Sequence, residues 1–179
     1  MKTLTFMLSV LLCALNVHGQ QFQKGTTAIN AGIGLGTALG GLGKARPAIA
    51  VAVDRGVWDI GGPGVISVGG DVGNTGYKYN DLGYTAKWNY TIVGVRGAYH
   101  YNGLSEVPAL DVYGGAMLGY NIAKYSSDSG DDSFANTYGS GLGFSGFIGG
   151  RWFFAESVGA YSELGYGVSI LNVGVTFKF

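Results

Sequence analysis

Apolar and polar residues alternate with a period of two through most of the chain beyond residue 25. This is the spacing at which side chains point to opposite faces of a β-strand, and no stretch of that region has the 3.6-residue period of a helix. Most of the alternating segments are near the 9–11 residues that a tilted strand needs to cross a bilayer. The pattern predicts eight strands, at 26–36, 47–54, 65–77, 89–101, 109–122, 140–153, 158–166 and 169–179.

Each predicted strand has one apolar face and one face of small or polar residues. In the first strand Ile29 and Ile33 alternate with Asn30, Gly32 and Gly34. All charges inside the predicted strands fall on the face opposite the apolar one, namely Asp54, Asp71, Arg96, Asp111, Arg151, Glu163 and Lys178. A membrane enforces such sorting, because Arg or Lys at the lipid midplane costs about 2–4 kcal/mol. The pattern predicts an all-β, eight-stranded, antiparallel, up-and-down transmembrane barrel with its polar face inside.

The inward charges carry a second prediction. Eight strands enclose a space just wide enough for side chains, and buried charges are costly unless they are paired. We therefore expect a polar network that plugs the lumen, with Arg96 and Arg151 as anchors because a guanidinium can bridge two carboxylates. The pairs themselves depend on the strand stagger, which the pattern leaves open. The expected members are Asp54, Asp71, Arg96, His100, Asp111, Arg151, Glu163 and Lys178.

The first nineteen residues have the pattern of a secretory signal peptide. Lys2 supplies the positive charge, and residues 4–15 form an apolar run too short to span a bilayer as a helix. Val17 and Gly19 suit cleavage before Gln20, which would leave 20–179 as the barrel domain. Cys13, the single cysteine, would leave with the signal, unless it were the acylated first residue of a lipoprotein.

Composition narrows the classes of function. Charged residues make up 12% of the chain, about half the usual fraction, and the exported part would carry ten basic against eleven acidic residues. Without a basic excess a nucleic-acid partner is not expected, and without a thiol no disulfide or thiolate metal site is expected. No cofactor is predicted. A soluble periplasmic ligand-binding barrel is the structural alternative, because its strands would also alternate.

Connections and aromatic residues suggest an orientation. With both termini in the periplasm, the outward loops would be 37–46, 78–88, 123–139 and 167–168, and the inward turns 55–64, 102–108 and 154–157. Residues 167–168 suit a tight hairpin that pairs Glu163 with Asn172 and Leu164 with Leu171. Two interfacial aromatic girdles are also expected. One comprises Trp58, Tyr99, Tyr101, Trp152, Phe153, Phe154 and Phe179, and the other Tyr77, Tyr79, Tyr84, Trp88, Tyr90, Tyr120, Tyr125 and Tyr166.

The last strand, Leu171–Phe179, resembles the terminal strand of outer-membrane proteins. The mature chain as a whole resembles the small outer-membrane β-barrels of the OmpA/OmpX type. That resemblance implies an integral outer-membrane location in a Gram-negative bacterium, contact with outer-membrane lipid, and insertion by the barrel-assembly machinery. It also implies that the assembly signal consists of Val173, Val175, Phe177 and Phe179.

Other candidate sites are weaker. His100 could belong to a Ser/His/acid arrangement, but a structural lumen histidine is favoured. Asp128, Asp131 and Asp132 match no calcium-loop motif, and the glycines of 32–43 lack the context of a phosphate loop. The leading hypothesis is a monomeric, non-catalytic barrel with a structural or surface-contact role and an unidentified surface partner. A narrow pore and an outer-membrane lipid-modifying enzyme remain the functional alternatives.

Overall fold

The computed structural model describes residues 21–37, 39, 44–81, 84–127 and 139–179. In it the eight alternating segments pair side by side and form a closed barrel. Within these ranges each strand is antiparallel to its neighbour in the sequence, and β1 pairs with β8. The predicted all-β, eight-stranded up-and-down barrel is confirmed. The strands are β1 (Thr27–Leu35), β2 (Lys44–Asp59), β3 (Gly64–Asp81), β4 (Tyr84–Tyr101), β5 (Leu110–Ser127), β6 (Gly141–Phe153), β7 (Val158–Gly165) and β8 (Leu171–Lys178). None of the described residues belongs to a helix long and apolar enough to cross a bilayer.

The strands β2, β3, β4 and β5 are longer than predicted. The expected inward turn at 55–64 is wrong, because β2 continues to Asp59 across an irregularity between Gly56 and Trp58. The expected loop at 78–88 is wrong as well, since β3 runs to Asp81 and β4 resumes at Tyr84. In both places the apolar alternation stops while the backbone pairing continues. Ladder hydrogen bonds do not depend on hydrophobicity, so the pattern could not detect these extensions.

The last outward connection differs from the predicted two-residue hairpin. Glu163 pairs with Asn172 and Leu164 with Leu171, so the predicted register is confirmed. The strands nevertheless separate earlier than expected, and the Gly165 amide donates to the Ile170 carbonyl at 3.0 Å. The intervening turn, residues 166–170, folds inward: Val168 is buried inside the barrel, as is the next residue, Ser169. We call this segment the β7–β8 turn.

The two faces of the sheet separate as the alternation predicts. One outward row runs around the wall through aligned, exposed apolar residues, Val51, Val72, Val93, Tyr120 and Leu142. The inward positions combine small and polar residues with a few large side chains such as Tyr113, Met117 and Phe147. A Cβ at Gly149 would lie 2.6 Å from the ring of Tyr113, so glycine at this position makes room for a large inward side chain.

The aromatic girdles are only partly as expected. At the end that holds the termini, six of the seven aromatic residues are exposed, but Phe153 is buried inside. At the other end only Tyr120 and Tyr166 are exposed. The remaining described aromatic side chains there point into the mouth of the barrel and form a cluster of Tyr77, Tyr79, Trp88, Tyr90 and Tyr125 with Leu39, Ala86 and Ala123. The side chain of Tyr84 lies outside the described part of the chain.

Candidate functional site: the polar interior of the barrel

The interior of the barrel is organised around two arginines, the first of which is Arg151 on β6. Its side chain is fully buried, and its three nitrogens contact three different strands. Nε donates to Asn30 Oδ1 on β1 at 2.9 Å, and Nη1 donates to Asp111 Oδ2 on β5 at 2.8 Å. Nη2 donates to Asp54 Oδ2 on β2. Arg151 therefore ties β6 to its neighbour β5 and to β1 and β2 across the lumen.

Arg96 on β4 makes a second fork. Its Nη2 donates to Glu163 Oε2 at 2.7 Å, and its Nη1 lies 3.6 Å from Asp71 Oδ2. Its Nε is 3.0 Å from Asp54 Oδ1, a distance that makes an ion pair, although the angle is unsuited to a hydrogen bond. Asp54 thus lies between the two guanidinium groups, with one carboxylate oxygen on each.

Aromatic rings complete the packing around both arginines. The Tyr113 ring lies 4.3 Å from Arg151 Cζ, and the Phe147 ring lies 3.8 Å from Arg96 Cζ. Both distances are within the range of a cation–π interaction. The Tyr113 hydroxyl also donates to Glu163 Oε2 at 3.0 Å and accepts from Asn30 Nδ2 at 3.3 Å. Tyr113 therefore links the Arg151 cluster to the Arg96 cluster in one continuous network.

His100 belongs to the same network through Asp111. Its Nδ1 is 2.8 Å from Asp111 Oδ1, and its Nε2 is 2.9 Å from the hydroxyl of Ser67. A serine, a histidine and an aspartate in this order have the hydrogen-bond connectivity of a catalytic triad. All three side chains are buried, and Asp111 is also held by Arg151. Among the described residues, the Ser67 hydroxyl is therefore enclosed by packed protein.

We call the end of the barrel that holds the termini the inner end, and the opposite end the outer end. The mouth at the inner end is covered by the segment that precedes β1. Phe22 inserts its ring parallel to the His100 imidazole, with centroids 3.7 Å apart. Asn102 Nδ2 donates to the Phe22 carbonyl at 2.9 Å, and Gln21 Nε2 donates to the Asn102 carbonyl at the same distance. The Gly25 amide donates to Gly56 at the end of β2. This segment closes the lumen beneath His100.

On its outer side the network lies under the β7–β8 turn. Between them is a cavity of about 20 Å³, lined by Asp71, Arg96, Ser145 and Glu163 together with the turn itself. That volume holds about one water molecule. Val168 packs closely over Gly73. A Cβ added to Gly73 would lie 2.7 Å from the side chain of Val168. In the part of the chain that the structure describes, buried side chains are thus found at every level of the lumen from Phe22 up to Val168.

The structure brings most of the predicted network residues into contact. Asp54, Asp71, Arg96, His100, Asp111, Arg151 and Glu163 share hydrogen bonds or ion pairs. Lys178 is on the inward side but lies at the inner end of β8, where its Nζ is 4.3 Å from the centre of the Phe153 ring. Sequence reasoning missed Asn30, Ser67, Tyr113 and Phe22. Asn30, Ser67 and Tyr113 occupy inward positions and could have been found by parity, whereas Phe22 precedes the first strand and gave no signal.

Metal-binding geometry is not found among the described residues, where no three His, Cys, Asp or Glu side chains group in a way that could hold an ion. The acidic loop residues Asp128, Asp131 and Asp132 lie outside the described residues. Of the predicted assembly signal, Val175, Phe177 and Phe179 have exposed side chains. Phe179 is held by its backbone, which exchanges two hydrogen bonds of 2.9 Å with Thr27.

Comparison with known proteins identifies the fold. No protein-family model matches the chain, and no curated protein sequence matches it. Among solved structures, the chain is similar to Ail, the attachment invasion locus protein of Yersinia pestis, in complex with the heparin analogue sucrose octasulfate. The two are 15% identical with a TM-score of 0.53, over 88% of this chain and 100% of Ail. It is also similar to the N-terminal β-barrel domain of OprF from Pseudomonas aeruginosa, at 18% identity and a TM-score of 0.48, over 87% of this chain and 98% of that one. The predicted resemblance to small outer-membrane β-barrels is confirmed at the level of the fold.

Proposed function

We propose that this protein is a monomeric integral barrel of the bacterial outer membrane, non-catalytic, whose lumen is closed and whose role is structural or one of surface contact. The observation that carries the proposal is the inversion of the barrel relative to a water-soluble protein. Its outward rows are apolar and exposed, while its buried interior holds two arginines and four carboxylates. Only a surrounding apolar phase makes that distribution favourable, because a soluble barrel would put the charges outside and the aliphatic side chains inside.

The exposed apolar rows on the outside of the barrel form what we call the apolar band. Basic residues support an outer boundary of this band near the outer ends of β2, β3 and β4. Register places Lys44 opposite Lys78, and Lys78 opposite Lys87, in one outward-facing row across β2, β3 and β4. The next row toward the band contains Arg46 and Lys124. Like charges directly opposite one another are destabilising in a sheet, and no described carboxylate forms an ion pair with these lysines. Phosphate-bearing headgroups of the outer leaflet would neutralise them at this height.

The filled lumen supports a structural role over a pore. An ion crossing the barrel would have to pass the Phe22 ring, both arginine clusters and Val168, all of which are buried. It also supports a non-catalytic role, since Ser67 and His100 are enclosed beneath Phe22. Among the alternatives, the narrow pore is therefore ranked lower, and so is the lipid-modifying enzyme.

The surface-contact part of the proposal concerns the outer end, where the longer connections lie. The solved structure of Ail contains a heparin analogue, a sulfated sugar. The basic rows of β2–β5 would suit anionic groups here as well, but at 15% identity the comparison carries the fold alone. We propose a surface partner with anionic groups, and the proposal rests on these basic rows and not on the comparison with Ail.

Fractionation tests the proposal. The exported protein should be recovered in the outer membrane, resist extraction with carbonate and be released by detergent. Intact-mass analysis of the same material should give a chain that begins at or near Gln20, as the signal-peptide prediction requires. Recovery in the soluble periplasm would instead support the ligand-binding barrel, and a diacylated chain that begins at Cys13 would make the protein a lipoprotein.

A further inference from the structure

The strand β6 extends further toward the outer end of the barrel than its neighbour β7. β6 pairs with β5 up to Gly141, opposite Asn121. On its other side the pairing with β7 ends at Phe147 opposite Gly165, followed by one bond from the Tyr166 amide to the Gly146 carbonyl. Among the described residues, β6 from 141 to 145 has no partner strand on that side. The wall therefore has a lateral gap between β6 and the β7–β8 turn.

The gap lies at the height of the apolar band. Leu142 is in register with Tyr120 and Phe144 with Leu118, and these positions belong to the outward apolar rows. The side chains of Leu142 and Phe144 are 79% and 77% exposed. In the proposed membrane location these two residues face acyl chains, and so does the opening beside them.

The gap exists because the β7–β8 turn leaves the wall. Continued pairing of β7 with β6 would set residue 168 opposite Phe144, given Phe147 opposite Gly165. Val168 instead turns into the lumen and is buried there. The same turn that closes the barrel from above thus opens its side.

An apolar cavity of about 150 Å³ lies behind the gap. Phe144 and Tyr166 line it at the wall, and Leu39, Ile92 and Met117 line it within. The space is left by glycines, since a Cβ at Gly143 would meet no atom within 4 Å. An apolar cavity of about this size stays dry and accepts a small hydrocarbon.

One polar group in the cavity wall lacks a partner. Asn121 Oδ1 is buried and makes no hydrogen bond to any described residue. Asn121 lies on the outer side of the cavity, one inward position beyond Gly119 and two beyond Met117, which lie deeper. A buried acceptor without a donor is unfavourable, so an occupant that carries a hydroxyl or amide at this height would be stabilised.

We propose that this cavity takes the terminal segment of an acyl chain of an outer-leaflet lipid, which enters sideways through the gap between β6 and the β7–β8 turn. A hydroxyl or amide on the chain would donate to Asn121, while the hydrocarbon beyond it contacts Ile92 and Met117. The proposal rests on the membrane location proposed above. The occupant is a lipid chain because the gap between β6 and the β7–β8 turn opens, among the described residues, at the height of the apolar band.

Photo-crosslinking tests the proposal. The barrel would be reconstituted in vesicles of phosphatidylcholine that carry a diazirine at the end of one acyl chain, and the labelled residues mapped by mass spectrometry. We expect label on the inward residues Ile92 and Met117 as well as on the outward residue Val95. Gly143→Leu should lower the inward label about tenfold, which corresponds to a loss of about 1.4 kcal/mol in binding. Gly141→Leu is the matched control, because a Cβ there also meets no atom within 4 Å but Gly141 does not line the cavity.

The outcomes separate the two proposals. Label on Val95 alone would overturn the cavity proposal and leave the membrane location intact, whereas an unlabelled Val95 would count against the membrane location itself. Competition by unlabelled free acids tests the role of Asn121. 10-Hydroxymyristic acid, whose hydroxyl has four carbons beyond it, should displace the inward label about fivefold better than myristic acid, as one hydrogen bond of about 1 kcal/mol predicts, and Asn121→Leu should abolish the difference. Equal competition in the wild-type protein would overturn the proposed hydrogen bond.

Discussion

At the scale of the residue, arginine is suited to the interior of this barrel because its planar fork has donors in several directions. Arg151 uses three nitrogens on three side chains from three strands, which the single ammonium of a lysine could not reach with the same geometry. Lys178, the remaining cation of the inward face, is found at the inner end beside Phe153. Arginine, with donors in several directions, therefore lies deep in the barrel, whereas lysine, with a single ammonium group, lies at its inner end.

Removal of Arg151 should be severely destabilising. Arg151→Ala leaves Asp54 and Asp111 buried without their main cation, which costs about 3–5 kcal/mol in the free energy of unfolding. Urea unfolding of the barrel in vesicles measures this. Arg46→Ala, on the exposed outer surface, is the control and should cost less than about 1 kcal/mol. If Arg151→Ala does not fold, the double variant Arg151→Met with Asp111→Asn should recover folding, because it removes a charge from both sides. A loss below about 1 kcal/mol for Arg151→Ala would contradict the network.

The Ser67–His100–Asp111 arrangement should be chemically silent. A fluorophosphonate probe, which labels activated serines, should leave Ser67 unmodified in the folded barrel because Phe22 and the strand wall enclose it. Ser67→Ala should cost only about 1 kcal/mol of stability for the lost hydrogen bond to His100. Labelling that disappears in Ser67→Ala would show instead that the site is accessible and reactive.

At the scale of the element, the barrel depends on two segments that are not strands. The segment before β1 inserts Phe22 at one end, and the β7–β8 turn inserts Val168 at the other. Both are short and cross the lumen, where their backbone groups find partners such as Gly56 and Gly36. Side chains of the strands occupy the middle of the lumen, and these two segments cover its two ends.

Phe22 should contribute as a core residue although it lies outside the sheet. Its side chain is fully buried, so Phe22→Ala should destabilise the barrel by about 3–5 kcal/mol and leave a cavity beside His100. Phe154→Ala, in the exposed turn after β6, serves as the control and should change stability by less than about 1 kcal/mol. Equal effects of the two variants in urea unfolding would show that the segment before β1 does not close the barrel.

The end of β8 should matter for assembly more than for stability. The Phe179 side chain is 75% exposed, while its backbone bonds to Thr27 do not depend on the ring. Phe179→Ala should therefore lower the amount of folded barrel at the membrane in cells, but leave the unfolding free energy of the purified, refolded protein within about 0.5 kcal/mol. Thr27→Ala keeps the same backbone hydrogen bonds to Phe179 and is the control variant for both measurements. A fall in stability in vitro that matches the loss in cells would argue against an assembly signal.

At the scale of the whole molecule, the proposed closed lumen has a direct consequence for ion conduction. Planar-bilayer recordings of the purified barrel should show no reproducible conducting steps, because the network and the two inserted segments block the axis. The double variant Phe22→Ala with Val168→Gly shortens the side chains of the two inserted segments but leaves both arginine clusters, so it should also stay closed. Large steps from the wild-type protein would refute the closed lumen and favour the narrow pore.

The sheet architecture was predictable from the alternation alone, because a period of two is a local property that each strand displays separately. The parity of the charges identified the inward face without knowledge of the neighbours, and the hairpin register of β7 and β8 followed from the agreement of their two faces. Strand ends were less predictable, since backbone pairing beyond Gly56 and Lys78 continues where side-chain alternation has stopped.

Which charges meet, and which side chains occupy the rest of the lumen, followed from closure of the barrel and not from the pattern of any single strand. The Arg151–Asp54 contact joins residues 97 positions apart, and it depends on the stagger of strands around a closed barrel. Phe22 and Val168 belong to no alternating segment, so their burial follows from the empty space that the other residues leave. The aromatic residues at the outer mouth were misassigned for a different reason: Trp88 and Tyr90 suit an interface as well as a core, although the parity that they share with Arg96 on β4 already indicated the inward face. Local alternation fixes the face of a side chain, while its partner is fixed by closure of the whole ring.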